Sequence, residues 1–91
     1  MAESGKTHHL EAEASVWVDA RGLLCPLPLL RAKKALAKIC AGEILAVKAT
    51  DAAAPLDFRV FCELSGHLLL RVEQKGEEVT LWLQKNPSFA G

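Results

Sequence analysis

Short β-branched runs alternate with two amphipathic stripes along this chain, and that alternation limits what it can fold into. Val16-Trp17-Val18 is a β-branched and aromatic run closed by Asp19-Ala20-Arg21-Gly22, whose Asp and Gly permit a turn. From Pro26 to Cys40, residues Leu29, Ala32, Leu36, Ile39 and Cys40 recur at three- and four-residue steps, the period of a helix with one buried face. Gly42 offers a stop just beyond. Glu43–Ala49 is almost continuously apolar, as in a strand inside a sheet. Thr50-Asp51 supplies capping side chains for a second helix running to about Ser65 and ended by Gly66. Pro55 must then lie in its first turn. On this helix Phe58, Phe61, Cys62 and Ser65 share one face, and Leu56, Val60 and Leu64 form a second stripe. Leu68–Gln74 and Glu77–Lys85 alternate around Lys75-Gly76, a hairpin signal.

The predicted order is β-α-β-α-β-β. Parallel neighbours need crossover helices. The fold class is therefore an α/β (α+β) two-layer sandwich: two helices packed on one mixed four-stranded sheet. The domain spans 15–85, with a polar, small-residue-rich N-terminal tail over 1–14 and a short C-terminal tail over 86–91. At 91 residues and 51% apolar content, one core forms without metal or disulfide staples.

Composition excludes several classes of function. Eleven basic residues balance eleven acidic ones, so bulk charge recruits neither nucleic acid nor a membrane surface. No apolar run approaches the ~18–20 residues that span a bilayer, and Met1–Ala14 lacks a signal-peptide core. The expected compartment is the reducing cytoplasm, where Cys25, Cys40 and Cys62 stay free. His8, His9 and His67 show no ligand spacing to any cysteine, so no metal site is expected, and no cofactor motif is present. Cys40 and Cys62 fall on apolar faces and are assigned to the core; His67 reads as a half-buried structural histidine at a strand start.

The chemistry concentrates in Asp19-Ala20-Arg21-Gly22-Leu23-Leu24-Cys25-Pro26-Leu27-Pro28. Proline is favoured at the first helical position. That makes Cys25 the expected N-cap, facing the positive end of the helix dipole, which lowers a thiol pKa. Pro26 and Pro28 stiffen the turn, and the nearest amide donors to the sulfur would be those of Leu27 and Leu29. A buried, inert cysteine at a loop–helix junction is the competing reading. A cysteine hydrolase needs a positioned histidine with an orienting partner, and the sequence offers neither beside Cys25. An exposed nucleophile without base or cofactor motif points to transfer between proteins.

These residues resemble the TusA-like (SirA-like) sulfur carriers, whose signature is a Cys-Pro-x-Pro helix start preceded by Asp-x-x-Gly-Leu. Asp19 through Pro28 match it, with Asp19, Gly22, Pro26 and Pro28 as supporting motif residues. Thr50-Asp51, Asp57-Phe58, Phe61-Cys62, Gly66-His67-Leu68-Leu69, Trp82-Leu83 and Lys85 fall in the family's register over Val16 to about Lys85. The family usually has proline directly after the Asp at the second helix start; here Ala52 stands there and a proline appears at Pro55.

The resemblance implies the same β-α-β-α-β-β sandwich and a persulfide on Cys25. It also implies a cysteine desulfurase or rhodanese-type donor and a downstream relay protein as acceptor. The sulfur would serve tRNA 2-thiouridine synthesis, molybdenum-cofactor assembly or sulfur oxidation. The chain then acts as a carrier more than as an enzyme. Asp51 is a partner-contact candidate on the same ground, against a plain turn or cap carboxylate. The helix after Cys25 carries Arg31, Lys33, Lys34 and Lys38 and no anion, a one-signed surface that would steer an acidic partner. Direct binding of nucleic acid is not expected, since no aromatic residues interleave the lysines. Two other classes compete: a small thiol-dependent oxidoreductase, which needs a resolving cysteine, and a regulatory or interaction module in which Cys25 is incidental.

Overall fold

The computed structural model describes residues 14–86. Its elements are β1 (Ala14–Ala20), α1 (Leu27–Leu36), β2 (Ile44–Ala49), α2 (Ala54–Ser65), β3 (Leu68–Lys75) and β4 (Glu78–Gln84). The four strands form one sheet in the order β1-β2-β4-β3. β1 and β2 run parallel, and β4 is antiparallel to both of its neighbours. This is the two-layer sandwich predicted from periodicity.

Alternation along the central strands sorts side chains between the two faces. Leu45, Val47 and Ala49 of β2 and Val79, Leu81 and Leu83 of β4 are buried in the main core, with Ala32 and Leu36 of α1 and Phe58 and Cys62 of α2. Helix α1 packs on β1 and β2, α2 packs on β3, and the helices touch each other. On the opposite face a cross-strand row runs Trp17, Ala46, Trp82, Arg71. The small Ala46 lets the two indoles meet edge-on at 6.3 Å, and the Arg71 guanidinium lies over the Trp82 ring.

Several local expectations are corrected. Helix α1 stops at Leu36, not at Cys40: the chain tightens into turns with Lys38 N–H donating to Ala35 O and Ile39 N–H to Leu36 O. The helix therefore ends on Ala37, and Gly42, at φ +87°, serves a later turn whose amide donates to Lys85 O. As a result Cys40 is exposed rather than in the core, and its amide donates to Glu43 Oε1. Helix α2 starts on Ala53 with no side-chain cap. Thr50 and Asp51 do not cap it: the Thr50 hydroxyl accepts from the Gly22 amide, and the Asp51 carbonyl accepts from the Ala54 amide in a preceding turn.

Pro55 does lie in the first turn, and Gly66 closes α2 in the left-handed conformation with its amide on Cys62 O. His67 is more deeply buried than expected, at 5% exposure, stacked obliquely on Phe61 with Nδ1 accepting the Asn86 amide. Ala14 opens β1 and Asn86 bonds to His67, while the rest of both expected tails lies outside the described residues.

Candidate functional site

The loop between β1 and α1 is built by its own polar groups. Asp19 takes two side-chain bonds from Arg21, at 2.8 and 2.9 Å, and a third from the Arg21 amide. The guanidinium holds the Asp19 carboxyl well below the usual carboxylate range. Leu23 N–H closes a turn on Ala20 O, and Gly22 sits at φ +82°. The motif residues Asp19 and Gly22 thus shape the loop that delivers Cys25. Pro26 is the N-cap of α1, and Pro28, fully buried, anchors the first turn.

Cys25 is exposed, one residue outside the cap rather than on it. The Leu27 amide expected to serve the sulfur donates instead to Leu24 O at 2.8 Å. The thiol donates across the helix layer to Asp57 Oδ2, 3.0 Å away in the first turn of α2. This reverses the expected electrostatics. The hydrogen bond to Asp57 pushes the Cys25 thiol pKa up, and some desolvation by neighbouring groups and the charges of Asp57 and Asp51 act in the same direction.

In the sequence Asp57 enters only through the Asp57-Phe58 match to the family's register, with no role assigned; its local signal is an acidic residue in the first turn of the second helix, beside the buried Phe58. Asp51 completes the cluster. Its Oδ2 is buried and takes no hydrogen bond among the described residues. Ligand atoms of Cys25, Asp51 and Asp57 lie within 4.8 Å of one another, the one such trio among the described residues. One thiol with two carboxylates matches none of the Cys/His sets of structural zinc sites.

Cys25 opens onto a groove of about 550 Å³ between the helices. Pro26, Leu29 and Lys33 line one wall; Leu56, Val60 and Leu64 line the other. The second apolar stripe of α2 is thus exposed at the site, Leu56 at 62% and Leu64 at 84%. Lys33 lies over the Phe61 ring at 5.4 Å.

The structure divides the four basic residues expected on one helix: Lys33 of α1 reaches the groove, whereas Arg31 and Lys34 of α1 and Lys38, in the turns after it, line a separate depression against Val16 and Val18 of β1. Neither Cys40 nor Cys62 lines the groove. Burial pushes the Cys62 thiol up to about 11. The His67 imidazole, held by Asn86 and Phe61, is also not part of the groove.

The fold thus presents an exposed cysteine just before a helix start, beside an open apolar groove. Residues 17–85 match the family model of sulfurtransferase TusA, so the chain belongs to the TusA family of sulfur carriers. It is 51% identical over 67 residues to a candidate sulfur carrier protein of Neisseria meningitidis, covering 74% of this chain and 90% of that one. The sulfur carrier protein TusA of Allochromatium vinosum is 39% identical over 69 residues, covering 76% and 91% respectively. A SirA-like protein from Desulfitobacterium hafniense superposes with a TM-score of 0.69 at 26% identity, over 78% of this chain and 97% of that one.

Proposed function

We propose that Cys25 accepts sulfane sulfur as a persulfide from a cysteine desulfurase or a rhodanese-type donor and passes it to an acceptor protein. The observation that carries this reading is the placement of Cys25: exposed, at the mouth of an open groove, in a chain of the TusA family. The Cys25 sulfur attacks the outer sulfur of the donor's persulfide, a new S–S bond forms, and the donor's own S–S bond breaks to release its thiolate. In the second step an acceptor thiolate attacks the same outer sulfur and Cys25 leaves. Access governs such exchange as much as thiolate fraction does, and an exposed sulfur at a groove mouth meets that need.

Carriers of this kind feed tRNA 2-thiouridine synthesis, molybdenum-cofactor assembly or sulfur oxidation, and the acceptor belongs to one of these. Lys33 in the groove, Arg31, Lys34 and Lys38 beside β1, and Asp51 next to the thiol are the proposed partner contacts. Among the described residues no helix is long and apolar enough to cross a membrane, and the proposed compartment is the cytoplasm. The oxidoreductase alternative requires a resolving thiol beside Cys25. The two other cysteines lie outside the groove.

The test compares loading by a desulfurase with cysteine and by a rhodanese with thiosulfate, following reductant-labile sulfur on the chain. Stoichiometric loading by either donor is the expected result. Failure of both, with each donor active on another thiol acceptor, overturns the proposal.

A further inference from the structure

A carrier thiol that must be exposed to meet proteins is equally exposed to every small electrophile around it. The groups facing Cys25 bear on that problem. From α2, the Asp57 carboxylate accepts a hydrogen bond from the thiol, with Sγ 3.0 Å from Oδ2; from the turn before α2, Asp51 brings a second carboxylate to within 4.8 Å. From α1, Lys33 lines the same groove, but its ammonium lies over the Phe61 ring. Arg21, on the Cys25 loop, is paired with Asp19 and with Glu78. Among the described residues the one group hydrogen-bonded to the sulfur is therefore a carboxylate, while Arg21 is ion-paired and the Lys33 ammonium sits within the groove over the Phe61 ring rather than on the sulfur.

A carboxylate in contact with a thiol disfavours the thiolate, because ionising the sulfur loses the hydrogen bond and sets two negative charges side by side. It also fixes the χ1 rotamer of an otherwise free, exposed side chain.

We infer that Asp57 is a positioning residue for the carrier cysteine, holding the unloaded Cys25 thiol protonated and aimed at the groove so that small electrophiles in solution find little thiolate. The inference rests on the carrier reading above and assigns this site a selectivity for docked protein donors over diffusible reagents. Loading stays balanced: one donor persulfide and one Cys25 thiol give one Cys25 persulfide and one donor thiol. The Cys25 proton ends on the donor's departing sulfur, Asp57 emerges unchanged, and no external oxidant or reductant is needed.

The test is the pH profile of Cys25 alkylation by iodoacetamide in the full chain, in a Cys40→Ser background that removes the other exposed thiol. Asp57→Asn keeps the shape and an acceptor oxygen but removes the charge. The midpoint should fall by about one pH unit. That gives about tenfold more thiolate at neutral pH, offset about threefold by its lower nucleophilicity, so alkylation at pH 7 should rise about threefold. The plateau at high pH, where the sulfur is all thiolate, should fall about threefold by the same loss of nucleophilicity, and Asp57→Glu should retain a high midpoint.

An unchanged or raised midpoint in Asp57→Asn overturns the inference. Asp51→Asn, which leaves the hydrogen bond in place, should shift the midpoint in the same direction by less; a larger shift than in Asp57→Asn overturns the assignment to Asp57. Persulfide loading of the unsubstituted chain is scored separately. A chain that never loads fails as a carrier whatever its alkylation profile shows, and a chain that loads while Asp57→Asn leaves the midpoint unmoved fails only on this inference.

Discussion

The Gly22 amide donates to the Thr50 hydroxyl at 2.9 Å, tying the loop that carries Cys25 to the end of β2, twenty-eight residues further along the chain. Gly22 adopts φ +82° there, a conformation that penalises any side chain. A Cβ at this position would meet nothing within 4 Å, so only the backbone cost applies. Gly22→Ala should destabilise the domain by about 1–2 kcal/mol and slow persulfide loading, read by urea denaturation and by loading rate. A loading rate that drops with no loss of stability would show that the strain is absorbed in the loop.

The two faces of α2 separate stability from docking. Phe58 is fully buried, and Phe58→Ala should cost about 3–5 kcal/mol, a large part of a small domain's stability. Leu64, on the groove wall, is 84% exposed, and Leu64→Asp should change stability by less than about 0.5 kcal/mol. The same substitution should raise the KM for loading by a protein donor.

Charge reversal on α1 and the turn after it probes the proposed acidic partner. Lys34 and Lys38 are exposed and line the depression beside β1, away from the Phe61 contact that Lys33 makes. The double substitution Lys34→Glu and Lys38→Glu should slow association with the donor at low ionic strength by about tenfold or more, with the deficit shrinking as salt is added. Equal rates at all salt concentrations would remove these residues from the docking surface.

His67 makes the fold sensitive to mild acid. Burial, and then the charge of Lys85, lower its pKa below the ordinary histidine value. The unfolded chain therefore binds a proton first, so the contribution of neutral His67 is intact above the unfolded pKa of about 6.5 and is lost as pH falls below it. Protonating Nδ1 would also break the bond from the Asn86 amide. The melting temperature should decline between pH 7.5 and 5.5. His67→Gln should melt lower at pH 7.5 yet show a flatter profile over that window.

Element order and the reactive loop were legible because each rests on local chemistry. Period-two and period-3.6 patterns, Pro55 in a first turn and Gly66 after a helix act within a few residues of chain. The position of Cys25 before a proline-opened helix is equally local. Its electrostatic setting is not: the thiol's acceptor is thirty-two residues away, and only the packing of α2 against the loop brings Asp57 to the sulfur. The end of α1 is hidden in the sequence for a related reason. Ile39 remains buried after the helix has tightened into turns, so the apolar period continues to Cys40 while the α-helical bonds do not. The exposed stripe of Leu56, Val60 and Leu64 looked like any second apolar stripe until the sheet and α1 were seen to cover only the Phe58–Cys62 side.

The central claim is that sulfur rides on Cys25. Intact-protein mass spectrometry after incubation with a cysteine desulfurase and cysteine tests it most directly, on the unsubstituted chain and on Cys25→Ala, Cys40→Ser and Cys62→Ser. The account predicts a reductant-labile gain of one sulfur atom in every chain except Cys25→Ala. A gain that persists in Cys25→Ala, or one that disappears in Cys40→Ser, would contradict it.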